Sequence, residues 1–132
     1  MNNRWTCSNT SVFNINYHLI WCTKYRRPLL SDDIESRLKT LLAEKAAELS
    51  ITIKALEVMP DHVHIFVHTS PLYSAHMIVQ QFKGYTSRIL RSEFPSLRSR
   101  VPTLWTRSYY AESVGHISEA VIRKYIEDQK KA

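Results

Sequence analysis

Over residues 13–22 apolar and mixed side chains alternate. Phe13, Ile15, Tyr17, Leu19 and Trp21 fall on one side, and Asn14, Asn16, His18, Ile20 and Cys22 on the other. A period of two is that of a β-strand with one strongly apolar face. Residues 24–30 follow as a basic loop containing Pro28. Ser31 is a suitable N-cap, with Asp32, Asp33 and Glu35 in the first turn where carboxylates favour the helix dipole. The helix it opens carries Ile34, Leu38, Leu41, Leu42, Ala46 and Leu49 on one face.

Residues 51–58 and 62–68 are two β-rich runs joined by Met59-Pro60-Asp61, a hairpin pattern. A second helix is predicted from Ser74 to about Glu93, with Met77, Ile78, Phe82, Ile89 and Leu90 as its apolar positions. Gly84 weakens it and leaves room for a close approach. Pro95 ends that segment, residues 96–102 read as a basic loop, and residues 104–113 read as a strand rich in Trp105, Tyr109 and Tyr110. After Gly115 a last helix runs to the end. The order β-α-β-β-α-β, plus that helix, predicts an α+β chain with a ferredoxin-like or RRM-like antiparallel sheet. A single domain is expected over residues 1–132, its body over about 1–114 and its C-terminal helix over about 116–132.

Composition narrows the class. With 132 residues and a hydrophobic fraction of 44%, the chain has an ordinary globular balance. No apolar run is long enough to cross a bilayer and the N-terminus lacks the apolar core of a secretion signal, so no membrane partner and a cytoplasmic location are expected. Two cysteines, Cys7 and Cys22, make neither a disulfide framework nor a zinc cluster. The net charge of +6, spread over groups such as Lys24-Tyr25-Arg26-Arg27 and Arg88 with Arg91, favours a polyanion partner. A basic surface with no partner would carry the same charge.

The candidate chemistry begins at Asp61-His62-Val63-His64-Ile65-Phe66-Val67-His68. Side chains two apart on a strand share a side, so His62 and His64 project together while Val63, Ile65 and Val67 enter the core. Two imidazoles on one rigid strand can chelate an ion, although such pairs also occur without a ligand. His68 flanks the pair, and Asp61 points away from it by strand alternation. On the last helix Tyr125 and Gln129 stand one turn apart on a common face beside Arg123 and Lys124. Taken alone, Tyr125 reads equally well as packing among Val121, Ile122 and Ile126, and Gln129 as a solvated residue.

Met59-Pro60-Asp61-His62-Val63-His64 together with Arg123-Lys124-Tyr125-Ile126-Glu127-Asp128-Gln129 resembles the single-tyrosine HUH transposases of insertion sequences. In that family HUH denotes His, a bulky apolar residue and His; Val63 takes the middle place. The stretch from Asn16-Tyr17-His18-Leu19-Ile20-Trp21 to Cys22-Thr23-Lys24-Tyr25-Arg26-Arg27 resembles the family's first strand and basic loop, and Phe82-Lys83-Gly84-Tyr85-Thr86-Ser87 its second helix.

The resemblance implies a DNA transposase in which Tyr125 is the nucleophile and His62, His64 and Gln129 hold a divalent metal. Tyrosine attack would leave a 5′-phosphotyrosine and a free 3′-OH. Imidazole ligands suit Mn²⁺, Zn²⁺ or Co²⁺, and phosphate oxygens suit Mg²⁺; the resemblance implies Mg²⁺ or Mn²⁺. It also implies single-stranded DNA bearing hairpins as substrate, and a homodimer in which the tyrosine helix can complete the partner subunit's site, with Gly115 as its hinge. Lys24, Arg26, Arg27, Lys83, Arg88 and Arg91 are the candidate DNA contacts. The alternatives are a domesticated HUH nuclease acting on repeated palindromes, a non-catalytic nucleic-acid-binding module with an RRM-like sheet, and a small zinc hydrolase. The last is disfavoured by the lack of an acidic ligand beside the histidines.

Overall fold

The computed structural model describes residues 5–8 and 11–115. Its element order is β1 (Thr6–Cys7), β2 (Val12–Phe13), β3 (Ile15–Cys22), α1 (Asp32–Glu48), β4 (Thr52–Met59), β5 (His62–Thr69), α2 (Ala75–Glu93), α3 (Pro95–Arg100) and β6 (Tyr110–Val114). Strands β4, β5, β3 and β6 form one sheet in that order, with every neighbouring pair antiparallel. Because β5 lies between β3 and β4, the α1 crossover makes a split βαβ unit, and the predicted ferredoxin-like topology holds.

The alternation read from the sequence decides which face meets the helices. Leu19 and Trp21 of β3 and Val63, Ile65 and Val67 of β5 are buried with Leu38, Leu41, Leu42 and Ala46 of α1 and Ile78, Val79, Phe82 and Leu90 of α2. Each valine, leucine, isoleucine or phenylalanine among them contributes ~1.5–3 kcal/mol on removal from water. The second face of the sheet carries a smaller apolar cluster, Phe66 with Ala55 and Val114, and the histidines lie among these residues.

Helix boundaries follow local chemistry in part. Ser74 Oγ accepts from Met77 N at 3.1 Å, a working N-cap for α2. Ser31 occupies the N-cap place of α1, but its hydroxyl makes no capping bond. Among the described residues no helix is long and apolar enough to cross a membrane.

Three expectations change. Residues 96–102 are mostly not loop: Pro95 occupies the first turn of α3, where its missing N–H costs nothing. The strand expected over 104–113 is confined to Tyr110–Val114. The preceding chain instead wraps over the Lys83 ammonium, which donates to the carbonyls of Thr106 (2.6 Å), Arg107 (3.4 Å) and Ser108 (3.5 Å). Only an isolated bridge from Trp105 to Thr23 continues the ladder there. Third, a Cβ on Gly84 would meet nothing within 4 Å and its φ is not positive, so no close approach among the described residues uses the room expected there. The predicted last helix, with Arg123, Lys124, Tyr125 and Gln129, lies outside the described residues.

Candidate active site

His62 and His64 leave the same face of β5, their ring centroids 4.8 Å apart and their planes at 67°. Val63 between them is completely buried on the other face. The pairing expected from strand alternation therefore holds. Register fixes their surroundings: across the ladders His62 faces Cys22 and Met59, and His64 faces Ile20 and Glu57. Among the described residues no three His, Cys, Asp or Glu side chains converge as a metal cage.

Asp61 departs from the expectation. It sits in the turn ahead of β5, where strand alternation does not apply, and its Oδ1 lies 2.6 Å from His62 Nδ1. An ionised carboxylate can only accept, so Nδ1 carries a proton, and in the neutral imidazole Nε2 of His62 keeps its lone pair. The other oxygen, Oδ2, accepts from Arg26 Nε at 3.2 Å and forms an ion pair with Arg26 Nη2 at 3.2 Å. Burial by itself would raise the Asp61 carboxyl, but the hydrogen bonds from His62 and Arg26, with the Arg26 charge, hold it below its ordinary value.

His64 is buried, and burial together with the nearby His62 and His18 lowers its pKa to about 4. It is neutral at pH 7, the form in which imidazole binds metals. Sequence reading missed His18. It is 1% exposed, lies flat on Phe66 (4.2 Å between centroids, 3° between planes), and stands between His64 and Glu112. Its pKa is lowered by burial against the opposing pull of Glu112. The available signal was its place on the polar side of the first strand; its neighbour across the sheet is 46 residues away in sequence. His68 lies further along the same face and is engaged by other partners, with Nδ1 on Asn16 Oδ1 (2.9 Å) and Nε2 on Thr6 Oγ1 (2.8 Å).

The basic candidates divide by location. The loop with Lys24, Arg26 and Arg27 is pinned to the β4–β5 turn: Thr23 N donates to Asp61 O at 2.9 Å, and Leu30 N to Pro60 O at 2.9 Å. Tyr25 and Arg26 adopt left-handed φ values of 57° and 52°, a conformation that costs a non-glycine residue ~1–2 kcal/mol. The loop thereby sets exposed cations, and the 66% exposed Tyr25, at the His62 end of the sheet. Lys83, Arg88 and Arg91 belong to α2, on the opposite face. Arg88 is exposed there. Lys83 corrects the surface assignment: it is 8% exposed and its ammonium is engaged by backbone carbonyls. Arg91 donates to the carbonyls of Val101 (3.0 Å) and Leu97 (3.5 Å), closing the end of α3.

A ferredoxin-like sheet with paired histidines on the face turned away from α1 and α2, and a cationic loop at their end, defines a candidate nucleic-acid-processing site. Residues 11–129 match the family model described as IS200-like transposase. The chain is 36% identical over 120 residues to the ISDra2 transposase TnpA of Deinococcus radiodurans, covering 89% of this chain and 86% of that one. A crystal structure of a Deinococcus radiodurans R1 protein assigned as a transposase aligns with a TM-score of 0.77 at 36% identity, over 94% of this chain and 97% of that one. A REP-associated tyrosine transposase bound to a REP hairpin shares the fold, with a TM-score of 0.60 at 11% identity over 86% of this chain and 62% of that one. The chain belongs to the IS200-like transposase family, and its class of activity is DNA transposition.

Proposed function

We propose that this transposase cuts and rejoins single-stranded DNA at the ends of an insertion element through a 5′-phosphotyrosine on Tyr125, with Mg²⁺ or Mn²⁺ held by His62, His64 and Gln129. The observation that carries the reading is the imidazole pair on β5, its rings 4.8 Å apart, with Asp61 leaving the Nε2 lone pair of His62 open. A carboxylate behind a ligating histidine is a recurrent arrangement in metal sites. The donor set thus fits a divalent ion, with further ligands from Gln129, water and substrate phosphate.

A bound divalent ion would supply positive charge that polarises the scissile phosphate and offsets the charge growing on its oxygens. A free tyrosine phenol has a pKa near 10; the Tyr125 phenol gives up its proton as its oxygen bonds to phosphorus. The bond from phosphorus to the 3′ oxygen breaks, and that oxygen takes up a proton to leave as a 3′-OH. The number of phosphoester bonds is unchanged. A second 3′-OH can therefore attack the same phosphorus, release Tyr125 and reseal a strand without ATP.

The loop holding Lys24, Arg26 and Arg27 provides phosphate contacts at the same end of the sheet, and Arg88 extends the positive surface on the helical layer. Hairpin-bearing single strands are the proposed substrate, in keeping with the hairpin held by the REP-associated relative. A homodimer in which each Tyr125 helix serves the partner's histidines, swinging at Gly115, is part of the same proposal. The test is a denaturing gel with single-stranded DNA from the element's ends. A protein–DNA adduct that forms with Mg²⁺ or Mn²⁺ and disappears with EDTA is expected; an adduct indifferent to chelation would overturn the metal role. A substrate preference for scattered chromosomal palindromes would indicate a domesticated nuclease with the same chemistry.

A further inference from the structure

We propose that His18 and Glu112 are positioning residues for His64, holding its ring so that Nε2 is the nitrogen presented to a metal. The inference rests on the metal reading above and extends it to two residues outside the HUH motif.

Three strands contribute. Glu112 on β6 and Phe66 on β5 both face His18 in register, while His64 stands one pleat along β5, opposite Ile20. Glu112 Oε1 is 3.4 Å from His18 Nδ1, and His18 Nε2 is 3.4 Å from His64 Nδ1. One proton assignment satisfies both contacts. The carboxylate can only accept, so His18 carries its proton on Nδ1. A neutral imidazole has a single N–H, which leaves His18 Nε2 as an acceptor. His64 must then donate from Nδ1, and its lone pair stands on Nε2.

The same outcome is reached at His62 by a different route, through Asp61. Two separate polar contacts, one from a turn and one across the sheet, thus present Nε2 of each histidine. Separations of 3.4 Å are long for strong hydrogen bonds, so the effect is chiefly orientation and choice of tautomer. The flat contact with Phe66 fixes the plane of the His18 ring. Burying an imidazole at this position costs free energy that an apolar side chain would avoid, which fits a residue kept for what it does to its neighbour.

The first measurement is a long-range ¹H–¹⁵N correlation of the metal-free full chain at pH 7.5. It is expected to show His64 protonated on Nδ1 and bare on Nε2. The second is a Mn²⁺ titration followed by the EPR signal of free Mn²⁺. His18→Phe, with folding verified by circular dichroism, should bind Mn²⁺ about 10–100-fold more weakly. His18→Gln, which returns an acceptor oxygen near the place of Nε2, should recover most of that loss; a packing defect alone would not be rescued in this way. Glu112→Ala alters a side chain that is 50% exposed and keeps the test open if His18→Phe fails to fold. It should weaken Mn²⁺ binding and release the Nδ1 proton preference of His18. Wild-type protein that binds Mn²⁺ while carrying the His64 proton on Nε2 would overturn this inference alone, as would unchanged Mn²⁺ affinity in folded His18→Phe or in Glu112→Ala. Wild-type protein that binds no Mn²⁺ would overturn the metal reading and this inference together.

Discussion

Asp61 Oδ1 lies 2.6 Å from His62 Nδ1, and the other oxygen of the same carboxylate is held by Arg26. One side chain therefore ties the first histidine of the pair to the basic loop. Asp61→Ala frees the His62 ring to turn and change tautomer. We expect its Mn²⁺ affinity to fall about 10–100-fold. The lost ion pair with the largely exposed Arg26 should cost only ~0–1 kcal/mol of stability. Isothermal titration and urea unfolding on one preparation check the two halves; a large stability loss with unchanged affinity would make Asp61 a purely structural residue.

Tyr125→Phe removes one oxygen and nothing else. Covalent adducts with end-derived single strands should vanish while gel-shift affinity stays near wild type. Adducts that persist in this variant would move the nucleophile elsewhere in the chain.

Lys83 and Arg27 should part company in a salt titration. Arg27→Ala, at an exposed loop position, is expected to reduce the slope of log affinity against log salt by about 0.7, the contribution of one phosphate contact on a single strand. Lys83→Met should leave that slope unchanged, because the ammonium faces the carbonyls of residues 106–108. Its cost should appear in unfolding instead, at ~1.5–3 kcal/mol for the lost hydrogen bonds from the charged ammonium.

Arg37 joins α1 to α2 through Glu93, with Nε 2.8 Å from Oε1 and an NH2 contact of 3.0 Å to Oε2. The hydrogen bond from Arg37 holds the Glu93 carboxyl below its ordinary 4.5. A carboxyl with a depressed folded pKa contributes stability that is complete above the unfolded value and fades as pH falls through the folded one. The difference in unfolding midpoint between wild type and Glu93→Gln should thus be small and constant near neutrality. It should close as the pH drops below about 4.5, a window that thermal melts at several pH values would resolve.

Much of the fold was legible because it depends on short-range periodicity. The faces of β3 and β5, the apolar stripes of α1 and α2, and the hairpin at Met59-Pro60-Asp61 each follow from spacings of two, three or four residues. The imidazole pair was legible for the same reason, since one pleat separates His62 from His64. Trp105 and its neighbours misled the strand boundary: aromatic residues suit a strand, but here Lys83 gathers three successive carbonyls that strand pairing would otherwise use. Residues 96–100 looked like loop because their basic, proline-flanked composition hides a six-residue helix.

By itself the sequence determined the element types, the inward and outward faces, the histidine pair and the family motifs around Tyr125 and Gln129. Only the tertiary structure decided what stands behind the histidines. Asp61 reaches His62 because a turn releases it from strand alternation, His18 meets His64 because β3 and β5 pair in one particular register, and Lys83 is buried because a distant segment folds over it. Periodicity records how a residue is placed relative to its own element. The partner it meets across the sheet depends on long-range register, which no local spacing encodes.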